Sequence, residues 1–230
     1  MFGNDVSVVL AHGAWADGSS WSKVILALQQ KGITAIAAPL PLTSLSDDVV
    51  ALDRASERVD GRLVLVGHAY AGAVIGSSKN QRVKSLVYVT GLAPAEGQTV
   101  AEIFYRAAPH PQAPKLAPDS HGLTWLPSEA FATAFAQDAT NEEHALLCAV
   151  QRPISPACIT TAVERPVWED RPSWFLIAEH DRMIVRETQQ FMADRMRARV
   201  RSHAVDHTPL VSAPAVVVDI ILEAVHESDA

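Results

Sequence analysis

The sequence predicts an α/β protein built on an open, mainly parallel sheet of about six strands, with helices on both faces. Three observations carry this. Short apolar runs rich in β-branched residues recur along the chain. Segments with helical spacing of apolar residues alternate with them. Most of the runs are apolar throughout, as expected for parallel strands buried on both faces. Strand and helix in alternation imply right-handed βαβ units. At 230 residues, 48% hydrophobic and 20% charged, the chain suffices for one domain, 1–230, whose core needs no staples.

The elements follow in order. Residues 6–10 (VSVVL) form the first strand, and a helical pattern over 20–31 is closed by Gly32. The next strand is 33–37, followed by a Pro-Leu-Pro loop at 39–41. Ser46, Asp47 and Asp48 supply a helix start, and that helix is expected to reach about residue 60. Strands at 63–66, 85–89, 174–178 and 200–205 complete the sheet. A last helix, 209–226, opens on Pro209 and carries a dense Val/Ile face. Between about 92 and 172 no strand is convincing. This stretch is expected to be a helical cap inserted into the domain, with short helices at 127–137, 141–150 and 155–161.

Composition narrows the function classes. A formal charge of −7 argues against a nucleic-acid footprint or binding to an anionic membrane. Cys148 and Cys158 are too few for a disulfide framework or a structural zinc site, and are expected to be reduced thiols. No secretory leader pattern and no span of about 20 apolar residues is present. The expectation is a cytoplasmic protein with a small apolar molecule as its partner, and neither nucleic acid nor membrane. A homodimer is left open.

Directly after the strand at 63–66 the chain reads Gly67-His68-Ala69-Tyr70-Ala71-Gly72. This resembles the strand-to-helix corner of a serine hydrolase, G-x-S-x-G, in which a strained turn holds the serine up into the site. Here Ala69 stands at the tip, and a methyl group cannot attack a carbonyl. The last glycine of the pattern is also replaced, by Ala71. A deliberate Ser-to-Ala trap would change one residue rather than two, so the pair favours a natural variant over an engineered one.

In an open α/β sheet, functional groups gather beyond the C-terminal ends of the strands. Polar groups stand there in several segments: His12-Gly13-Ala14-Trp15, the Ala69 corner, Glu179-His180-Asp181 and Asp206-His207. Their order is elbow, acid, histidine. His12 is expected to shape the loop after the first strand by hydrogen bonding, and His68 to act structurally in the same way beside the corner. No metal is expected, because the histidines lack the i, i+4 pairing and carboxylates of a metal site. His12, Trp15, Phe104 and Trp125 are candidates for the wall of an apolar substrate pocket.

These segments, with HGAWADGSSW at 12–21, PLTSLSDD at 41–48, Asp-Arg-Met-Ile at 181–184 and HTPLVS at 207–212, resemble the α/β-hydrolase superfamily. The similarity is to its small-esterase branch, which includes plant methylesterases and hydroxynitrile lyases. It implies Asp181 as the triad acid, His207 as the base, and the N–H groups of Ala14 and Tyr70 as an oxyanion hole. It further implies a cofactor-free protein acting on a small apolar ester or related carbonyl compound, but without an acyl-enzyme. One alternative is a lyase, decarboxylase or cyclase that uses the His207–Asp181 pair for acid/base work. Against cyanohydrin cleavage in particular, Thr208 stands where many hydroxynitrile lyases have lysine. The other alternative is a small-molecule binding protein without catalysis.

Overall fold

The computed structural model describes residues 5–229. A six-stranded sheet, parallel at every pairing and ordered β2-β1-β3-β4-β5-β6, forms its centre. The strands are β1 (Val6–Ala11), β2 (Thr34–Ala38), β3 (Arg62–His68), β4 (Val83–Val89), β5 (Ser173–Ala178) and β6 (Arg199–His203). All six residues of β1 and of β5 are buried, which is why they read as nearly continuous apolar runs. The edge strands β2 and β6 are less buried, and β6 departs furthest from that pattern. Its Arg199 and Arg201 face water and pair with Glu227 and Glu223, and charges of this kind discourage edge-to-edge pairing.

The helices are α1 (Ser22–Gln30), α2 (Leu45–Ser56), α3 (Ala71–Gly76), α4 (Val100–Phe104), α5 (Ser128–Ala130), α6 (Asn141–Val150), α7 (Ala157–Thr160), α8 (Arg186–Met196), α9 (Pro209–Ser212) and α10 (Pro214–Asp229). Two expectations are corrected here. Helix α2 is capped by Ser44, whose side chain accepts from Asp47 N at 3.1 Å, and it stops at Ser56. The final helix is broken between α9 and α10, because Pro214 biases Ala213 away from helical backbone and supplies no N–H.

Between β4 and β5 the chain forms α4 to α7, a π-helical turn at Phe131–Phe135 and isolated bridges, with no strand. Helix α4 was not anticipated; its start is a capping box of Thr99 and Glu102. Cys148 and Cys158 are free thiols. Among the described residues, no helix is long and apolar enough to cross a membrane. The strand order reverses between β1 and β3, and the loops leaving those two strands meet at that switch point.

Candidate active site

The corner after β3 is held by its own backbone. Ala69 has φ +48°, its N–H donates to Val89 O at 3.2 Å, and its carbonyl accepts from Leu92 N at 2.8 Å. Left-handed backbone costs a residue with a Cβ about 1–2 kcal/mol. A Cβ on Gly67 would stand 2.6 Å from Ala71 O, and one on Gly72 2.6 Å from Leu92 O. Both positions are therefore closed to any side chain. Ala71 is fully buried and carries its methyl in the core, so the tight approaches fall at Gly67 and Gly72.

Across the site, His207 Nδ1 donates to Asp181 Oδ2 at 2.8 Å, with both side chains at or below 2% exposure. The carboxylate is fully engaged. Its Oδ1 accepts from Met183 N at 2.7 Å and Ile184 N at 2.8 Å, and its Oδ2 accepts also from Gln189 Nε2 at 3.0 Å. Gln189 is fixed in turn by Ala178 N and Ile184 O. Donation from Nδ1 sets the tautomer and leaves His207 Nε2 free to accept a proton.

The carbonyl of His207 is held as well. His68 Nε2 donates to it at 2.8 Å and Thr90 Oγ1 at 3.2 Å. Burial and the nearby His207 push His68 well below the usual histidine range. His12 donates through Nδ1 to Gly13 O at 2.9 Å, and burial pushes it down to about 4. Both rings are therefore neutral supports at neutral pH. Phe135 packs against His207, His68 and Trp15 with ring centroids 5.3–6.3 Å apart.

A cavity of about 220 Å³ opens between the strand ends and the β4–β5 segment. Ala14, Ala69, Tyr70 and His207 line it together, with Trp15, Phe104, Phe135 and Met183 among the apolar walls. No Lys, Arg, Asp or Glu is among the described lining residues. Trp15 ties the first loop to the segment above: its N–H donates to Arg152 O at 3.2 Å and its indole to Thr124 O at 3.0 Å.

Residues 8–220 match the alpha/beta hydrolase family. The chain belongs to that family. No curated protein matches it. Among solved structures, this alpha/beta hydrolase is similar to polyneuridine aldehyde esterase, at 17% identity and TM-score 0.82, covering 94% of this chain and 98% of the other. It is also similar to a pyrethroid hydrolase from Sphingobium faniae JZ-2, at 19% identity and TM-score 0.79, with 96% and 98% covered. A third is tomato methylketone synthase I bound to 2-tridecanone, at 18% identity and TM-score 0.78, with 96% and 98% covered. At such identities the likeness is one of fold.

Two pocket candidates of this alpha/beta hydrolase lie off the cavity. His12 is 1% exposed and sits behind the first loop, drawn there by its bond to Gly13. Trp125 is 45% exposed and donates to Asp119 Oδ2 at 3.0 Å at the surface. Ser19 and Ser20 bond Asp17, and Ser44 caps α2, so none of these serines faces the cavity. Glu179 takes a bond from Ser202 on the outside, and Asp206 accepts from Asp138 N, Thr208 N and Ser212. Gln189, Thr90 and Phe135 were not anticipated. Gln189 reads as one polar residue of a polar helix; only a fold that brings it under Asp181 reveals it. Among the described residues, no group of three His, Cys, Asp or Glu side chains is placed to hold a metal.

Proposed function

We propose that this chain is an enzyme acting on a small apolar carbonyl compound, an ester or a ketone, by proton transfer through His207 and without a covalent acyl intermediate. The observation that carries this reading is the methyl of Ala69 and the ring of His207 on one apolar cavity, with His207 bonded to a buried Asp181. The nucleophile is missing while the base and its orienting acid stand ready. The cavity, about 220 Å³, is smaller than the ~300–1,000 Å³ of pockets for drug-sized ligands, and its described lining residues carry no Lys, Arg, Asp or Glu to recognise an ionic group.

In this reading the carbonyl oxygen rests between the N–H groups of Ala14 and Tyr70, and the β4–β5 segment serves as the cap. His207 Nε2 takes a proton from the carbon beside the carbonyl. The C–H electron pair moves toward the carbonyl, and the resulting enolate oxygen is stabilised by the two N–H donors. The imidazolium, balanced by Asp181, then returns the proton. In the ester branch His207 Nε2 takes a proton from water as its oxygen adds to the carbonyl carbon; the tetrahedral adduct then breaks its C–O bond, and the imidazolium protonates the departing alkoxide. The methyl ketone in the tomato neighbour suggests the first probe.

The test follows 2-heptanone in D₂O by NMR and p-nitrophenyl acetate by absorbance, using the parent, His207→Ala and Ala69→Ser. The expectation is α-proton exchange in the parent that falls by about 10²–10⁴ in His207→Ala. A covalent burst on the ester is expected only in Ala69→Ser. A parent that binds the ketone without exchanging it or turning over ester, with affinity unchanged in His207→Ala, would be a receptor, and the proposal would fall.

A further inference from the structure

Asp48 ends the PLTSLSDD stretch, and none of the chemistry above uses it. Its side chain is 0% exposed, and among the described residues no cation pairs with it. Oδ1 accepts from Leu42 N at 2.7 Å; Oδ2 accepts from the Tyr70 hydroxyl at 2.7 Å and from Cys158 Sγ at 3.7 Å. One carboxylate thus joins three separate pieces of chain. Tyr70 directly follows Ala69 at the corner. Leu42 sits in the loop after β2 at φ +59°, and its carbonyl accepts from Ser155 N at 3.0 Å. Cys158 lies in α7, on the segment above the cavity, which Ser155 and Tyr70 both line.

A buried carboxylate without a counter-ion is expensive to keep. Burial pushes its carboxyl above the ordinary range, against the pull of its three donors. A site that needed only volume here would be better served by leucine. What the carboxylate supplies is direction: the Tyr70 ring is pinned at its far end. Because Tyr70 stands at the entry to α3, pinning its ring limits rotation of its peptide.

We infer that Asp48 is a positioning residue for the oxyanion donor: through the Tyr70 hydroxyl it aims the Tyr70 N–H into the cavity while bracing the Ser155 wall. This rests on the reading above, in which Ala14 and Tyr70 hold the carbonyl oxygen. Asp48 touches no substrate; it acts through Tyr70.

The test uses the full chain labelled with ¹⁵N at tyrosine and alanine; with three tyrosines the first spectrum is readable. The parent and Asp48→Asn are titrated with 2-heptanone while the amide signals of Tyr70 and Ala14 are followed. In the parent both signals are expected to move. In Asp48→Asn the Tyr70 response should collapse while that of Ala14 persists, with affinity down by about tenfold, the worth of one hydrogen bond. Responses unchanged from the parent overturn the inference and leave the donor pair standing. Loss of both responses alike marks a merely structural role and also overturns it. If neither amide moves in the parent, the donor pair itself fails, and the positioning role with it. Should Asp48→Asn not fold, Tyr70→Phe, labelled with ¹⁵N at phenylalanine and alanine, removes the hydroxyl–carboxylate bond from the other side, and the amides of residue 70 and Ala14 are read by the same outcomes.

Discussion

His68 Nε2 lies 2.8 Å from the carbonyl oxygen of His207, so the residue beside Ala69 fixes the backbone of His207. That bond can form only if His68 carries its proton on Nε2, which leaves Nδ1 as a buried atom with no partner. Replacing His68 with phenylalanine removes the donor and leaves Thr90 alone on that carbonyl. The expected loss is about 1–3 kcal/mol in urea unfolding, accompanied by weaker α-proton exchange of 2-heptanone. Unchanged stability and exchange would show that Thr90 suffices.

Stability should rise with pH between about 4 and 6.5. His12 titrates near 4 when folded and near 6.5 when unfolded. Across that window the unfolded chain holds the extra proton, so acid favours unfolding. His68, pushed down for the same reason, acts in the same direction. Asp48 and Asp206, raised by burial, act in the opposite direction as pH rises from the ordinary carboxylate range. His12 alone should account for about 2 kcal/mol between pH 7 and pH 5. Urea unfolding at pH 5, 6 and 7 checks this; His12→Asn should flatten the slope, and an equally steep slope in the variant would refute the assignment.

Gly72→Ala places a methyl 2.6 Å from Leu92 O and 2.8 Å from Leu92 N. Both are backbone atoms of the segment bonded to Ala69, so the corner itself must move. A loss of about 1–3 kcal/mol or more is expected, read as a fall in thermal midpoint. A variant as stable as the parent would mean that the corner is far more compliant than its hydrogen bonds suggest.

Gln189→Glu sets a second carboxylate against Asp181. Two buried carboxyls at hydrogen-bond distance cannot both ionise cheaply, so the pair must take up a proton to fold. The folded pKa is raised, and the penalty grows as pH climbs above the ordinary glutamate value. A deficit of about 3 kcal/mol at pH 8 should narrow toward pH 5. Gln189→Met, which loses only hydrogen bonds, should show no such pH dependence. Equal deficits at both pH values would argue against the charge conflict.

The fold, and the neighbourhood of the candidate site residues in it, were legible because both rest on local pattern. Buried parallel strands leave apolar runs, and the groups beyond their ends then fall together at the switch point. Ala14, Ala69, Tyr70 and His207 share a cavity for that reason. What stayed hidden depends on contacts distant in sequence. Asp48 reads as an ordinary acidic residue in the first turn of a helix; its burial against Tyr70 is decided 22 residues away. Phe135 belongs to a π-helical turn that leaves no periodic signal. Trp125 is a large aromatic whose size suggests a wall, whereas its bond to Asp119 holds it at the surface.

The methyl at Ala69 also decides how such a protein can be detected at all. Organophosphorus labels and covalent drugs that sort serine enzymes depend on an oxygen lone pair at that corner. This chain has none to give, so reagents of that kind would pass through a mixture containing it and leave it unmarked. A handle on this corner must be reversible, built from the shape of an apolar cavity and the few hydrogen-bonding groups around it.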